Sequence, residues 1–591
     1  MTSSFFTRKK MMMVGAKRSA LDEAHGRLVI VKLAFALLFV LIAARLVDLS
    51  FIQGEVRKHM AQGEVSQSRM PDSKKLSRGD VVDRNGTLLA MSLETASLYA
   101  DPRMVADPES LAANLVKIMP DLTYGDVLQK LQRKGRFIWI KRNLTPEEQY
   151  KVLMLGDPAV AFKTEMRRIY PQGPLTAQMV GYTDVDGNGL SGVERSFNSY
   201  LKKGSDPLKL TIDIRLQHVL RRETLSEVKK FNAKGGAGII MDIKTGEVLA
   251  AVSLPDYDPH DPGAASAQAI FNNVTLGVYE LGSTFKLFTT AALLELKNTP
   301  MSATFDARES IKRGRFTIAD YHAEKRIMTV PEIFMHSSNI GSGLMAEAVG
   351  TEAFKDFYKD LGLLSKMDFE IEEVGTPLYP QPWRDINTLT ASFGHGIAVT
   401  PLQMVSAAAG IVGGGTLVKP TIIIGNKADD TKKKTEVRIV SEETAHKMRQ
   451  LLRLVVSKGT GAKADVPGFT VGGKTGTAEK PGVRGYDRKR LISSFLGFFP
   501  MEAPRYAIFI MVDEPTGNKS SYGYATGGWV AAPAVGRTIA GMAAILGVQP
   551  KTIPAEKDIA APLHKYLHDK KQLVQLPAIE PATGEADVTS H

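Results

Sequence analysis

The order of apolar segments predicts an α/β (α+β) fold: an antiparallel sheet flanked by helices, behind a mixed N-terminal module and a membrane-spanning helix. Three observations carry this expectation. Two apolar runs at 238–242 and 248–252 flank the turn Lys244-Thr245-Gly246 and read as a hairpin. A helical block follows from 283 to about 364. Strand-like runs then return at 493–497 and 507–512, before a closing helix at about 532–546.

A chain of 591 residues is too long for one efficient core, so two or three domains are expected. With 43% hydrophobic and 23% charged residues it has the composition of a folded protein. The net charge of +12 is spread in short clusters such as Lys432-Lys433-Lys434, interleaved with acidic residues. Without a basic stripe carrying aromatics, these read as solvated faces and not as a nucleic-acid surface. The absence of cysteine excludes disulfides, thiolate metal sites and a cysteine nucleophile.

Residues 28–49 are apolar apart from Lys32, Arg45 and Asp48. They reach spanning length if Lys32 and Arg45 snorkel to opposite interfaces. Ahead of them, Arg8, Lys9, Lys10, Lys17, Arg18 and Arg27 outnumber Asp22 and Glu23, which places the N-terminus in the cytoplasm and the rest outside. A cleaved signal peptide and a buried soluble helix are the rival readings. The Arg45-Leu46-Val47-Asp48-Leu49 run makes a poor small-residue cleavage site, so an uncleaved anchor is expected.

From about 60 to 210 the chain alternates Gly, Asn and Pro turns with short apolar runs, and one helix-like stretch covers 108–134. A second helix is expected at 216–231. The last forty or so residues, rich in Pro, Lys and Asp, read as a loose tail.

Chemistry concentrates in Gly282-Ser283-Thr284-Phe285-Lys286, which opens a segment apolar on nearly all sides. Serine three residues before lysine puts both on one helical face. A lysine desolvated there loses its proton readily and can activate the serine hydroxyl. Alone the pattern is weak: Ser199-x-x-Lys202 and Ser226-x-x-Lys229 also occur, in polar surroundings, and Ser283 could equally be a helix cap. Two later segments add weight. Ser337-Ser338-Asn339 offers a second hydroxyl and a carboxamide. Gly472-Gly473-Lys474-Thr475-Gly476-Thr477 offers a cation and two hydroxyls on a strand whose glycines admit close backbone approach. Lys244-Thr245-Gly246 precedes Ser283 and reads as a turn. The ordered set S-x-x-K, S-x-N, K-T-G-T is the specific signal, and it is the motif trio of penicillin-binding proteins and related β-lactamases.

On these motifs the chain resembles the class B penicillin-binding proteins, and within them the division-type (FtsI-like) peptidoglycan D,D-transpeptidases. Arg78-Gly79-Asp80-Val81-Val82-Asp83-Arg84-Asn85-Gly86 is similar to the segment that opens the family's non-catalytic pedestal. Arg168-Ile169-Tyr170-Pro171 and Gly189-Leu190-Ser191-Gly192-Val193-Glu194 resemble its later signatures, and the run 392–403 resembles a conserved-pattern loop of the catalytic domain. Leu281 stands where many relatives have Pro, and His395 where several have Tyr; His395 is read as a packing residue. No Glu-Asp pair occurs anywhere, so the glycosyltransferase motif of bifunctional relatives is missing.

The resemblance implies a cytoplasmic tail (1–27), an anchor (28–49), a pedestal (50–207), a transpeptidase domain (208–548) and a flexible tail (549–591). It implies catalytic roles for Ser283, Lys286, Ser337 and Lys474, and substrate binding by Asn339, Thr475, Gly476 and Thr477. Backbone N–H groups of Ser283 and Thr477 would form the oxyanion hole. The implied partners are D-Ala-D-Ala stem peptides, an acceptor amine, β-lactams, a SEDS-type glycosyltransferase and other divisome membrane proteins, with no cofactor or metal. An elongation-type enzyme, a D,D-carboxypeptidase or β-lactamase, and a non-catalytic sensor or scaffold are the rivals.

Overall fold

The computed structural model of the chain describes residues 32–33, 36–40, 77–204, 206–314, 316–425, 437–482 and 485–568. The chain divides into two units, residues 1–75 and 76–591. In the first, 32–33 and 36–40 are helical. The expected anchor at 28–49 lies largely outside the described residues, and no helix among those described is long and apolar enough to cross a membrane.

The second unit begins with a five-stranded sheet. Strands β1 (Val81–Val82), β2 (Leu88–Ala100), β3 (Ile138–Leu144), β4 (Val160–Ile169) and β5 (Leu208–Lys209) form it, with β2 antiparallel to β1, β3 and β4. The stretch expected as one helix over 108–134 is two, α1 (Pro108–Ile118) and α2 (Tyr124–Leu131). Pro120 falls between them, and each has its own N-cap, Asp107 and Thr123, whose side chains accept backbone N–H groups. β5 pairs in parallel with β1, so the pedestal sheet closes where the next domain starts.

The three pedestal signatures meet in one buried ion cluster. Glu194, fully buried, accepts from Arg78 Nε at 2.6 Å and from Arg168 Nε at 2.7 Å, and its carbonyl accepts from Arg78 Nη2 at 2.7 Å. Segments about a hundred residues apart are thereby tied at one carboxylate.

The second sheet has the order β8-β9-β10-β6-β7, antiparallel throughout. Its strands are β6 (Gly235–Asp242), β7 (Val248–Leu254), β8 (Gly472–Gly482), β9 (Gly485–Phe499) and β10 (Tyr506–Asp513). The Lys244-Thr245-Gly246 turn joins β6 to β7, with Gly246 at φ 78°. Both faces are covered, which explains why the strands are apolar at consecutive positions instead of alternate ones. Ile240, Ile508, Ile510 and Val512 face α3 (Ile214–Lys230) and the closing helix Ala531–Leu546; Ile239, Met241, Phe509 and Met511 face the helical block. That block includes α4 (Lys286–Leu296), α5 (Val330–His336), α6 (Asn339–Val349) and α7 (Glu442–Lys458). It also holds short two-stranded pairings between 304 and 329 that the sequence did not announce.

Residues 551–568 differ from the loose tail expected there. Ala560 and Leu563 are buried in the core, Asp558 accepts from Arg453 Nε at 2.8 Å, and the His568 N–H donates to Glu332 at 2.8 Å. A polar composition hides the apolar residues that dock the segment: Ala560 and Leu563, with Ile559, Tyr566 and Leu567 packed against the core around them.

Replacing Glu194 with alanine leaves two buried guanidiniums uncompensated, and should lower chemical-denaturation stability by about 3–5 kcal/mol. A loss below about 1 kcal/mol would show that both arginines find other partners.

Candidate active site

Gly282–Phe285 forms a 3-10 turn that runs directly into α4. Ser283 is half-buried at this turn, while Lys286 and the eight residues after it are buried. The turn packs on β8, and glycine makes that approach feasible. Gly282 has φ +55°, and a Cβ there would lie 2.4 Å from the Thr477 carbonyl oxygen. Gly394, at φ +81°, covers the other side: its Cβ would lie 2.3 Å from the Gly282 carbonyl oxygen. The Ser283 turn is thus held between the K-T-G-T strand and the loop 392–403.

Ser337 terminates α5 in the left-handed region, φ 62°, ψ 43°. Its hydroxyl accepts from Lys286 Nζ at 3.1 Å and from Lys474 Nζ at 2.8 Å. Lys286 also donates to the Ser337 carbonyl and, at 2.7 Å, to Asn339 Oδ1. The Asn339 amide nitrogen donates to the Ala319 carbonyl at 3.1 Å, so the carboxamide is fixed in orientation. Two of the three motifs thus reach the hydroxyl of the third: Lys286 and Lys474, 188 positions apart (474 minus 286), both donate to Ser337.

Both lysines are completely buried. Burial drives the Lys286 ammonium down to about 7, with the Asp320 charge acting in the opposite direction. Burial also pushes Lys474 well below the usual lysine range, and the neighbouring Lys286 adds to the effect. A lysine titrating near neutrality can take a proton from a hydroxyl, and the Ser337 hydroxyl lies between the two nitrogens. Lys286 spends its hydrogen bonds on Ser337 and Asn339 and not on Ser283; such contacts commonly tighten only when substrate arrives.

The remaining site positions lie on β8. Thr475 Oγ1 and Thr460 Oγ1 are 2.9 Å apart, and Thr477 Oγ1 accepts from the Gly527 N–H at 3.0 Å. Gly476 has no room for a side chain, since a Cβ would sit 2.6 Å from the Leu281 carbonyl oxygen. The other S-x-x-K lysines, Lys202 and Lys229, are exposed. His395 stacks on Tyr486 with ring centroids 4.8 Å apart and packs against Phe393 at 5.2 Å. Burial, followed by the Lys286 charge, lowers its imidazole to about 4, so it is neutral at pH 7.

Asp320 was not evident from the sequence. Its carboxylate accepts the Asn339 and Ile340 N–H groups and the Ser338 hydroxyl, holding the start of α6 and with it the S-x-N segment. An aspartate followed by an ordinary polar loop carries no signal of such a distant cap.

Comparison with known proteins gives the family. The model of the penicillin-binding protein transpeptidase domain matches residues 236–539, and that of the penicillin-binding protein dimerisation domain matches 73–209. The chain is 41% identical to the "Probable peptidoglycan D,D-transpeptidase FtsI" of Caulobacter vibrioides, over 80% of this chain and 82% of that one. It is 32% identical to the "Probable peptidoglycan D,D-transpeptidase PenA" of Neisseria meningitidis, over 89% of this chain and 94% of that one. With the peptidoglycan D,D-transpeptidase FtsI of Escherichia coli it shares 28% identity, over 81% and 85%. A crystal structure of a peptidoglycan synthetase from Bifidobacterium adolescentis shares the fold, with a TM-score of 0.63 at 21% identity, covering 82% of this chain and 98% of that one. The chain belongs to the penicillin-binding protein transpeptidases, in the class B branch that joins a dimerisation domain to the transpeptidase domain.

Gly282→Ala should displace the 3-10 turn from β8 and slow penicillin acylation about 100-fold, the scale of an ångström-sized misplacement of a nucleophile. Acylation at the wild-type rate would show that the close packing on Thr477 is dispensable.

Proposed function

We propose that this protein is a peptidoglycan D,D-transpeptidase of the division type, cross-linking septal stem peptides through a Ser283 acyl-enzyme. The observation that carries the reading is that Lys286, one helical turn from Ser283, and Lys474 both donate to the Ser337 hydroxyl, with Lys286 also bonded to Asn339.

In this reading Lys286, neutral for part of the population at pH 7, accepts the Ser283 proton as Oγ attacks the penultimate D-Ala carbonyl. The N–H groups of Ser283 and Thr477 stabilise the oxyanion. Ser337, bonded to both lysines, hands a proton to the departing D-Ala amine. Thr475 and Thr477 bind the donor's terminal carboxylate, with Gly476 letting the strand lie close, and Asn339 holds the donor peptide. An amine from a neighbouring stem then takes the acyl group. A β-lactam enters by the same attack and stays as a stable ester.

Residues 28–49 would anchor the protein in the inner membrane with its catalytic domain outside, and the pedestal would dock a SEDS-type glycosyltransferase and other divisome proteins. The full arrangement of domains, 1–27, 28–49, 50–207, 208–548 and 549–591, belongs to the same proposal, with an ordered start to the last segment.

Ser283→Ala should abolish covalent labelling by fluorescent penicillin while leaving the thermal unfolding midpoint within a few degrees of wild type. Labelling that persists on another serine would overturn the assignment.

A further inference from the structure

Glu280 and Glu479 line one cleft with Lys480, which binds Asp513 and Glu514, and the surroundings of these carboxylates separate them. Asp513 and Glu514 are committed to cations: Lys480 donates to them at 2.8 and 2.9 Å, and Lys234 reaches Glu514 at 2.9 Å. Burial works to raise the Glu514 carboxyl, but hydrogen bonds from Lys234, Arg490 and Lys480 outweigh it and hold it at about 2. Among the described residues no cation is paired with Glu280. Its Oε1 accepts from the Tyr486 hydroxyl at 3.0 Å and the Gly396 N–H at 3.1 Å, while Oε2 is buried with no hydrogen-bond partner among the described residues. Burial raises its carboxyl above the ordinary value.

Glu280 lines a cleft of about 390 Å³ together with Glu479, Lys480, Leu378, Ala398 and Ile492. Only Leu281 and Gly282 separate it from Ser283 in the chain. The volume falls in the range of small-ligand sites. Lys480 is paired with Asp513 and Glu514, and Glu479 with Arg488 at 3.8 Å, so the unpaired carboxylate among the described cleft residues is Glu280, beside apolar walls. That combination suits an ammonium at the end of an aliphatic chain and disfavours a carboxylate.

We propose that this cleft is the binding site of the acceptor amine, with Glu280 Oε2 as its hydrogen-bond partner and proton acceptor. The proposal rests on the transpeptidase reading of Ser283. The acceptor enters as an alkylammonium and gives one proton to the Glu280 carboxylate. Its nitrogen attacks the acyl carbon, the C–N bond forms, and the ester C–O bond to Ser283 breaks. The second amine proton passes through Lys286 to Ser283 Oγ, and Glu280 returns its proton to solvent. The carboxylate needs no oxyanion or donor contact, so its removal acts on transfer and not on acylation.

The test uses the full-length protein in detergent, an N-acyl-D-alanyl thioester as donor and Nα-acetyl-lysine as acceptor. The amide and acid products are quantified by mass spectrometry, beside labelling by fluorescent penicillin. Glu280→Gln should still be labelled, with the amide-to-acid ratio falling about 100-fold, the scale of losing a general base. Leu378→Arg, at an exposed position of the cleft wall, should raise the acceptor KM about fivefold by placing a cation beside the ammonium, with acid formation in the absence of acceptor unaffected. An unchanged ratio in Glu280→Gln overturns the proposal, as does loss of acid with amide retained, which would make Glu280 the base for water. If Glu280→Gln is not labelled, Leu378→Arg decides, and an unchanged KM overturns the proposal. Wild-type protein that penicillin does not label would instead overturn the transpeptidase reading itself.

Discussion

Burying two lysines side by side on one serine hydroxyl is the constraint from which the rest of the catalytic domain follows. An ammonium in an apolar interior loses hydration worth several kcal/mol unless a counter-charge replaces it. Among the described residues no carboxylate is bonded to Lys286 or Lys474; Asp320 acts on Lys286 only at a distance, from its place on the α6 N-terminus. The cheapest response is to shed a proton. The same burial that would be a defect in a structural lysine therefore leaves an amine that titrates near neutral pH.

Holding that arrangement requires support from elements remote in sequence. Residues 286–294 of α4 are buried, so Lys286 does not reach water, and the β8 strand that carries Lys474 is paired along its length with β9. Ser337 is placed by ending α5 in a left-handed conformation, an uncommon one for serine that the surrounding hydrogen bonds maintain. The short approach of the Ser283 turn to β8 depends on Gly282 and Gly394, where any side chain would meet backbone. Far from the chemistry, Glu194 performs the comparable task in the pedestal by joining Arg78 and Arg168.

Much of this was legible in the amino-acid order. The hairpin of β6 and β7, the returning strands and the final helix all show as apolar runs, because both sheet faces are covered. Ser283, Lys286, Ser337, Asn339 and Lys474 were identifiable because their spacing and glycine context are unusual together. What stayed hidden depends on distances that only folding creates. Asp320 bonds to residues 18 to 20 positions away, and Glu280 meets Tyr486 across 206 positions. The split between α1 and α2 turns on capping by Thr123, and the docking of 551–568 turns on apolar residues such as Ala560 and Leu563, with Asp558, within a stretch of polar composition.

The account stands or falls on the protonation state of Lys286. Penicillin has no group that titrates between pH 6 and 10 on the scale of ordinary side chains, roughly, so its acylation rate reports the enzyme alone. A base must be neutral to accept a proton, and burial lowers Lys286 to about 7. The second-order acylation rate of the wild-type protein should therefore rise with pH, reach half its maximum near about 7 and level off roughly one unit higher. A rate that keeps climbing toward about 10.4, where an unperturbed lysine titrates, would contradict the account.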